Sequence, residues 1–203
     1  MIYSIGMVGD SIAHGYEDSE DLGFFLRFAK MIKAQREGAY LFSNMSQSGD
    51  NIADATNRAV HEVLSRHFDL IIVNVGINDL RRRKDSDWTL DFSEGARVMY
   101  WHKLLDVLAQ TKAKIVVMDL IPVIENRYTD QASLIRCNAD VERYNQIIKK
   151  ICKERNVSFF ARYDKWKAQN LEELYKDAIH PNTKGQQIMA EELYAYLSQN
   201  KIL

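Results

Sequence analysis

The chain has 203 residues, 46% of them hydrophobic and 27% charged, which is the make-up of one ordinary globular domain spanning residues 1–203. Its 27 basic and 28 acidic residues leave a formal net charge of −1, so no overall field exists to attract nucleic acid or a membrane surface. No run of about 18 apolar residues is present to span a bilayer, and the absence of a basic and apolar leader ahead of Tyr3 reads as cytoplasmic.

Tyr3 to Ile12 opens the chain as a β-type run that breaks at Gly9 and delivers Asp10 and Ser11 at the break. Leu22 to Glu37 follows with an apolar stripe at helical spacing and stops near Gly38. Tyr40 to Asn44 reads as a second strand, a polar turn runs from Met45 to Asp50, and a helix is expected from about Ile52 to His67. The third strand, Leu70 to Val75, is nearly all apolar and β-branched, as a strand covered on both faces should be. It ends at Gly76-Ile77-Asn78-Asp79.

Residues 81 to 91 are highly charged and are expected to be irregular, and helical periodicity resumes from Ala96 to Gln110. Lys114 to Leu120 is the fourth strand, closed by Pro122, and a loop to about Ser133 leads into a long helix with Val141, Tyr144, Ile148 and Ile151 on one face. Both Cys137 and Cys152 fall in that expected helix, about 22 Å apart at 1.5 Å per residue, beyond disulfide reach. They read as free thiols in a reducing compartment. Val157 to Phe160 is a fifth strand, Asp164 to Lys176 is expected to be helical, Asp177 to Pro181 is a loop, and Lys184 to Leu197 closes the chain as a helix.

Strands alternating with helices in this way specify a parallel sheet with helices on both faces: an α/β fold with three α/β/α layers. Five strands in the order 2-1-3-4-5 put the switch point between the first and third, so a ligand should lie over Ser11, Gly49 and Asn78 at the carboxyl edge.

A serine hydroxyl becomes a nucleophile only when a base takes its proton, and the tetrahedral oxyanion that follows needs positioned donors. Asn78 offers an amide NH2, Gly49 an unshielded backbone N–H, and Ser11 its own backbone N–H. Among five histidines, His61, His67 and His102 fall in expected helices. His14 is close to Ser11 in sequence but has no obvious carboxylate partner. His180 follows Asp177 by three residues, close enough for the carboxylate to hold Nδ1 and turn Nε2 toward a serine. Each piece also has a plainer reading: Gly-Asp-Ser can be a helix cap, and Asp177 can cap a turn beside a surface histidine.

Taken together, Gly9-Asp10-Ser11-Ile12, Gly49 in its polar turn, Gly76-Ile77-Asn78-Asp79 and Asp177-Ala178-Ile179-His180-Pro181 resemble, in order, the first, second, third and fifth blocks of the SGNH hydrolases of the GDSL lipase and esterase superfamily. The resemblance implies a flavodoxin-like fold with no metal or other cofactor. It also implies Ser11 as nucleophile, Asp177 and His180 as its partners in a triad, and Ser11, Gly49 and Asn78 as the oxyanion hole. Isoleucine at 12 replaces the block's leucine and touches no catalytic group.

The expected activity is hydrolysis of a small acyl ester through an acyl-enzyme, and the same residues would serve a thioesterase or an acyltransferase. A non-catalytic binding module on the same scaffold is a third reading. A Mg2+-dependent phosphotransfer site built from Asp10, Asp79, Asp119 and Asp177 is a fourth, disfavoured because Ser11 and Ile12 deny it a paired Asp-x-Asp. Arg81-Arg82-Arg83-Lys84 lies beside the third block and could favour an anionic substrate such as a phosphorylated or carboxylated ester, but Asp85, Asp87 and Asp91 could neutralise it, and a solvated, self-paired loop is the favoured reading. Trp88, Phe92 and Tyr128 are candidate walls of an acyl pocket or anchors of a hydrophobic lid. Oligomeric state is not legible.

Overall fold

The computed structural model of the protein describes residues 2–83, 87, 89–125, 127 and 134–203. In chain order the elements are β1 (Ile2–Gly9), a one-turn helix α1 (Ser11–His14), α2 (Gly23–Gln35), β2 (Ala39–Asn44), α3 (Ile52–Glu62) and β3 (Leu70–Asn74). There follow β4 (Arg82–Arg83), α4 (Glu94–Leu108), β5 (Lys114–Met118), β6 (Leu134–Ile135), α5 (Asn138–Glu154), β7 (Ser158–Phe160), α6 (Tyr163–Lys167) and α7 (Thr183–Gln199).

Strands β1, β2, β3, β5 and β7 form one parallel sheet in the order β2-β1-β3-β5-β7. Counted along the sheet's own strands this is the 2-1-3-4-5 winding expected from the sequence. All five residues of β3 are buried, because helices cover both faces and the strand needs no polar side. Edge strand β2 has only exposed and half-buried positions. Helix α2 packs on α7, and α3, α4 and α5 pack in series, which makes the two outer layers. Trp101, Trp166, Tyr144, Phe24, Phe25 and Phe28 are the largest wholly buried side chains.

Chain beginning and chain end are stitched together by buried polar contacts. Gln186 on α7 accepts from the Phe24 N–H at 2.8 Å and donates to the Ile12 carbonyl at 3.4 Å. Thr183 donates to Asp18 at 2.8 Å, and Asp18 is paired with the buried Arg27. Among the described residues no helix is long and apolar enough to cross a membrane.

Four local expectations are corrected. Helix α3 stops at Glu62 instead of running to His67, because the chain must turn so that Val63 and Phe68 are both buried before β3, while residues 64–67 stay exposed. His67 therefore lies in the irregular connection to β3. Arg82–Arg83, in the stretch expected to be irregular, pair with Leu134–Ile135 as a two-residue antiparallel ribbon. Cys137 precedes α5 as its cap residue instead of lying inside it, and both cysteines are free.

Asp164 to Lys176 is not one helix: α6 ends at Lys167, and a single 3-10 turn spans Leu171–Glu173. Beyond that turn the chain folds back on itself, with Tyr175 facing Pro181, the Lys176 N–H bonded to the His180 carbonyl at 2.9 Å and the Asn182 N–H to the Leu174 carbonyl at 2.8 Å. Pro181 occupies the non-hydrogen-bonded place of that narrow pair, where its missing N–H costs nothing. Lys84, Asp85, Trp88 and Tyr128 lie outside the described residues. Phe92 packs against Tyr100, ring centroids 5.9 Å apart.

Candidate active site

At the tip of β1 the backbone is crowded: a Cβ on Gly9 would stand 2.4 Å from the Ala13 Cβ and 2.6 Å from the Asn74 carbonyl oxygen, so only glycine fits. Asp10 is extended, and its Oδ1 accepts from the Ile12 N–H at 3.0 Å as the cap of α1. Its Oδ2 accepts from the Gly76 N–H at 3.3 Å. The cap reading of Gly-Asp-Ser and the nucleophile reading are thus compatible, since Asp10 does the capping and leaves the Ser11 hydroxyl free. That hydroxyl is 2.9 Å from His180 Nε2.

The folded-back segment 174–182 presents His180 to Ser11. Asp177 Oδ2 accepts from His180 Nδ1 at 2.6 Å, while Asp177 Oδ1 accepts from the backbone N–H groups of Ile179 and His180, both at 2.8 Å. Burial pushes the Asp177 carboxyl up, but the His180 hydrogen bond and charge, with those two backbone donors, outweigh it and hold the group below its ordinary value. Tyr16 meets the His180 ring edge-on with centroids 4.8 Å apart. His14 is exposed and its Nδ1 is 3.2 Å from the Ser46 carbonyl, so it is engaged away from Ser11.

Asn78 comes from a 3-10 turn, Ile77–Leu80, that follows Gly76 at φ +132°. Its amide is buried and oriented at both ends: Nδ2 donates to the Asp50 carbonyl at 2.9 Å, and Oδ1 accepts from Arg136 Nη2 at 2.9 Å. A guanidinium can only donate, so Arg136 fixes which end of the amide is oxygen and leaves the second N–H of Nδ2 available. Gly49 has φ +92°, yet no atom lies within 4 Å of where its Cβ would be. Backbone conformation, not space, demands glycine there. Its carbonyl accepts from Arg81 Nη2 at 3.1 Å.

Ser11, Gly49, Asn78, Asp177 and His180 line a single open cavity of about 570 Å³. All five residues singled out from the sequence are therefore brought together, over the switch point between β1 and β3. Arg81, Arg83 and Arg136 line the same cavity. Arg136 had no sequence signal, because it follows an aperiodic stretch and reaches the site only through the β4–β6 ribbon.

Beneath the cavity lies a network that spacing could not disclose. Asp79 Oδ1 accepts from the Ile52 N–H at 2.8 Å, its Oδ2 accepts a short hydrogen bond from the Tyr144 hydroxyl, and that hydroxyl accepts from Trp101 Nε1 at 2.9 Å. Burial pushes Asp79 up to about 7 and Asp10 up to about 6. Asp119 is held by the backbone N–H groups of Arg162 and Tyr163 at 2.6 and 2.8 Å and by the Arg162 side chain. Asp10, Asp79, Asp119 and Asp177 each have donors of their own, and among the described residues no group of three or more His, Cys, Asp or Glu side chains is arranged to hold a metal ion.

The profile of the GDSL-like lipase/acylhydrolase family matches residues 7–188. No curated protein matches the sequence. The fold is similar to that of an acetyl xylan esterase, AlAXEase, at a TM-score of 0.75 and 20% identity, covering 96% of this chain and 99% of that one. It is similar to a lipase/acylhydrolase from Enterococcus faecalis at 0.76 and 16%, covering 98% and 96%. A catalytic mutant of an acetylxylan esterase from Geobacillus stearothermophilus matches at 0.76 and 20%, covering 95% and 93%.

Proposed function

The chain belongs to the GDSL-like lipase/acylhydrolase family, and from that premise we propose that it is a serine-dependent acyl-ester hydrolase acting as one domain over residues 1–203. The observation that carries the reading is the chain of contacts from Ser11 Oγ through His180 to Asp177, at 2.9 and 2.6 Å, opening on the cavity.

His180 Nε2 takes the Ser11 proton as Oγ forms its bond to the ester carbonyl carbon, and Asp177 stabilises the resulting imidazolium. The carbonyl oxygen becomes an oxyanion. Its donors are the Ser11 N–H, which as a first-turn group of α1 has no acceptor in the helix, the Gly49 N–H and the second N–H of Asn78 Nδ2. Collapse of the intermediate breaks the bond to the alcohol, which leaves with the proton from His180. Water, deprotonated by His180, then attacks the acyl-enzyme, releases the acid and returns the proton to Ser11. The two free cysteines agree with a reducing, cytoplasmic setting.

Acetyl esters are the first probes, since two of the similar structures are acetylxylan esterases. Turnover of 4-nitrophenyl acetate that survives EDTA and disappears in Ser11→Ala is the expected result. EDTA-sensitive turnover, or turnover that persists without Ser11, overturns the reading.

A further inference from the structure

Among the described residues, two guanidinium groups stand at this site without a carboxylate partner. Arg136 is only 7% exposed, yet its side chain bonds to the Ile77 carbonyl at 2.8 Å and to Asn78 Oδ1 at 2.9 Å, both neutral acceptors. Arg81 is half-buried, donates to the Gly49 carbonyl at 3.1 Å and leaves its buried Nε with no partner. Neither is within ion-pair distance of an acidic side chain among the described residues. Their neighbours are otherwise engaged: Arg82 with Asp140 at 2.8 Å and Arg83 with Asp91 at 2.6 Å.

Removing a charge from water without a counter-ion is expensive, and two such groups lie close enough that burial and Arg81 together push Arg136 down to about 10. The acidic groups that act on Arg136 through space, Asp10, Asp177 and Asp91, are each held by other donors. Among the described residues no carboxylate pairs with either guanidinium, and the open space beside both is the cavity that also holds Ser11.

We propose that the cavity accepts an ester whose acyl or alcohol part carries a second, anionic group, a carboxylate or a phosphate, seated against Arg136 and Arg81. The inference rests on Ser11 being the nucleophile of an ester hydrolase. A planar guanidinium matches either anion with paired N–H donors. An arginine that merely favoured the oxyanion would speed neutral and anionic esters alike, so the ratio between them separates the two roles.

The experiment compares kcat/KM for phenyl acetate with that for 3-acetoxybenzoate and 3-acetoxyphenyl phosphate, whose alcohol parts bear the charge. It also compares 4-nitrophenyl octanoate with mono-4-nitrophenyl suberate, whose acyl part bears it. At least one anionic ester is expected to exceed its neutral counterpart by roughly 10- to 100-fold, the factor of one charge-assisted hydrogen bond. Arg81→Gln and Arg136→Gln should each bring that ratio toward one, and because each variant is normalised to its own neutral turnover, a general loss of activity in either does not obscure the result. Neutral esters turned over with no anionic preference, or a preference that both variants retain, overturn the inference while leaving the hydrolase reading intact. No turnover of any ester removes the hydrolase reading and the inference with it.

Discussion

Asp177 grips His180 twice, once through the ring Nδ1 at 2.6 Å and once through the backbone N–H of the same residue at 2.8 Å, using a different carboxylate oxygen for each. The first contact sets which ring nitrogen carries the proton. The second ties the ring's own backbone to the same carboxylate, so that tautomer and position are controlled by one side chain.

Asp177→Asn is therefore expected to damage chemistry more than folding. An asparagine Oδ1 can still accept the two backbone N–H groups, but its NH2 would meet Nδ1 as a donor and force the ring proton onto Nε2, the atom that must accept from Ser11. A loss of about 10⁴ in kcat is expected, measured with 4-nitrophenyl acetate alongside a thermal melt. Activity within tenfold of the parent would remove Asp177 from the triad.

Ser11→Ala should abolish turnover, by about 10⁶ in kcat, with little change in melting temperature. The helix cap belongs to Asp10, so the hydroxyl can be deleted without uncapping α1. A variant that unfolds would show instead that Ser11 is a structural residue.

Asn78 is tested by two substitutions. Asn78→Ala removes the amide, and Asn78→Asp keeps an acceptor for Arg136 while removing the N–H. If that N–H stabilises the oxyanion, both lower kcat by roughly 10²–10³ with KM little altered. An aspartate variant with near-parental kcat contradicts the assignment.

Stability should fall as pH rises through the near-neutral range. Burial moves Asp79 from its ordinary 3.8 to about 7 and Asp10 to about 6. Between the ordinary and the folded values each carboxyl is protonated in the fold and ionised in the unfolded chain. The stabilising effect is complete below about pH 4 and lost by about pH 7, with a slope of at most about 1.4 kcal/mol per pH unit for each group. Asp79→Asn should flatten the slope of urea-unfolding free energy between pH 5 and 7. A slope unchanged in that variant would show that Asp79 ionises normally in the fold.

The parts legible in the sequence were those written in local pattern or in chain-ordered blocks. β3 is recognisable because a strand buried on both faces is nearly all apolar, and the five candidate site residues because each stands just past an element boundary. Arg136, the Asp79–Tyr144–Trp101 chain and the ribbon of Arg82–Arg83 with Leu134–Ile135 depend on partners about 40 to 65 residues away, which no local period encodes. Segment 164–176 misled for a related reason: its composition suits a helix, yet Tyr175 and Trp166 are buried through a fold-back that serves His180.

Ser11 and His180 are 169 positions apart, and the groups that join their surroundings, Gln186 to Phe24 and Thr183 to Asp18, also run between the two ends of the chain. During synthesis Ser11, the proposed nucleophile, emerges early, and His180, its proposed base, follows only after everything between them has been translated. On that assignment a chain that has not reached His180 has no base for Ser11, so hydrolysis requires the contact between the two. On the proposed mechanism, enzymatic activity would read out closure of a loop that spans most of the chain.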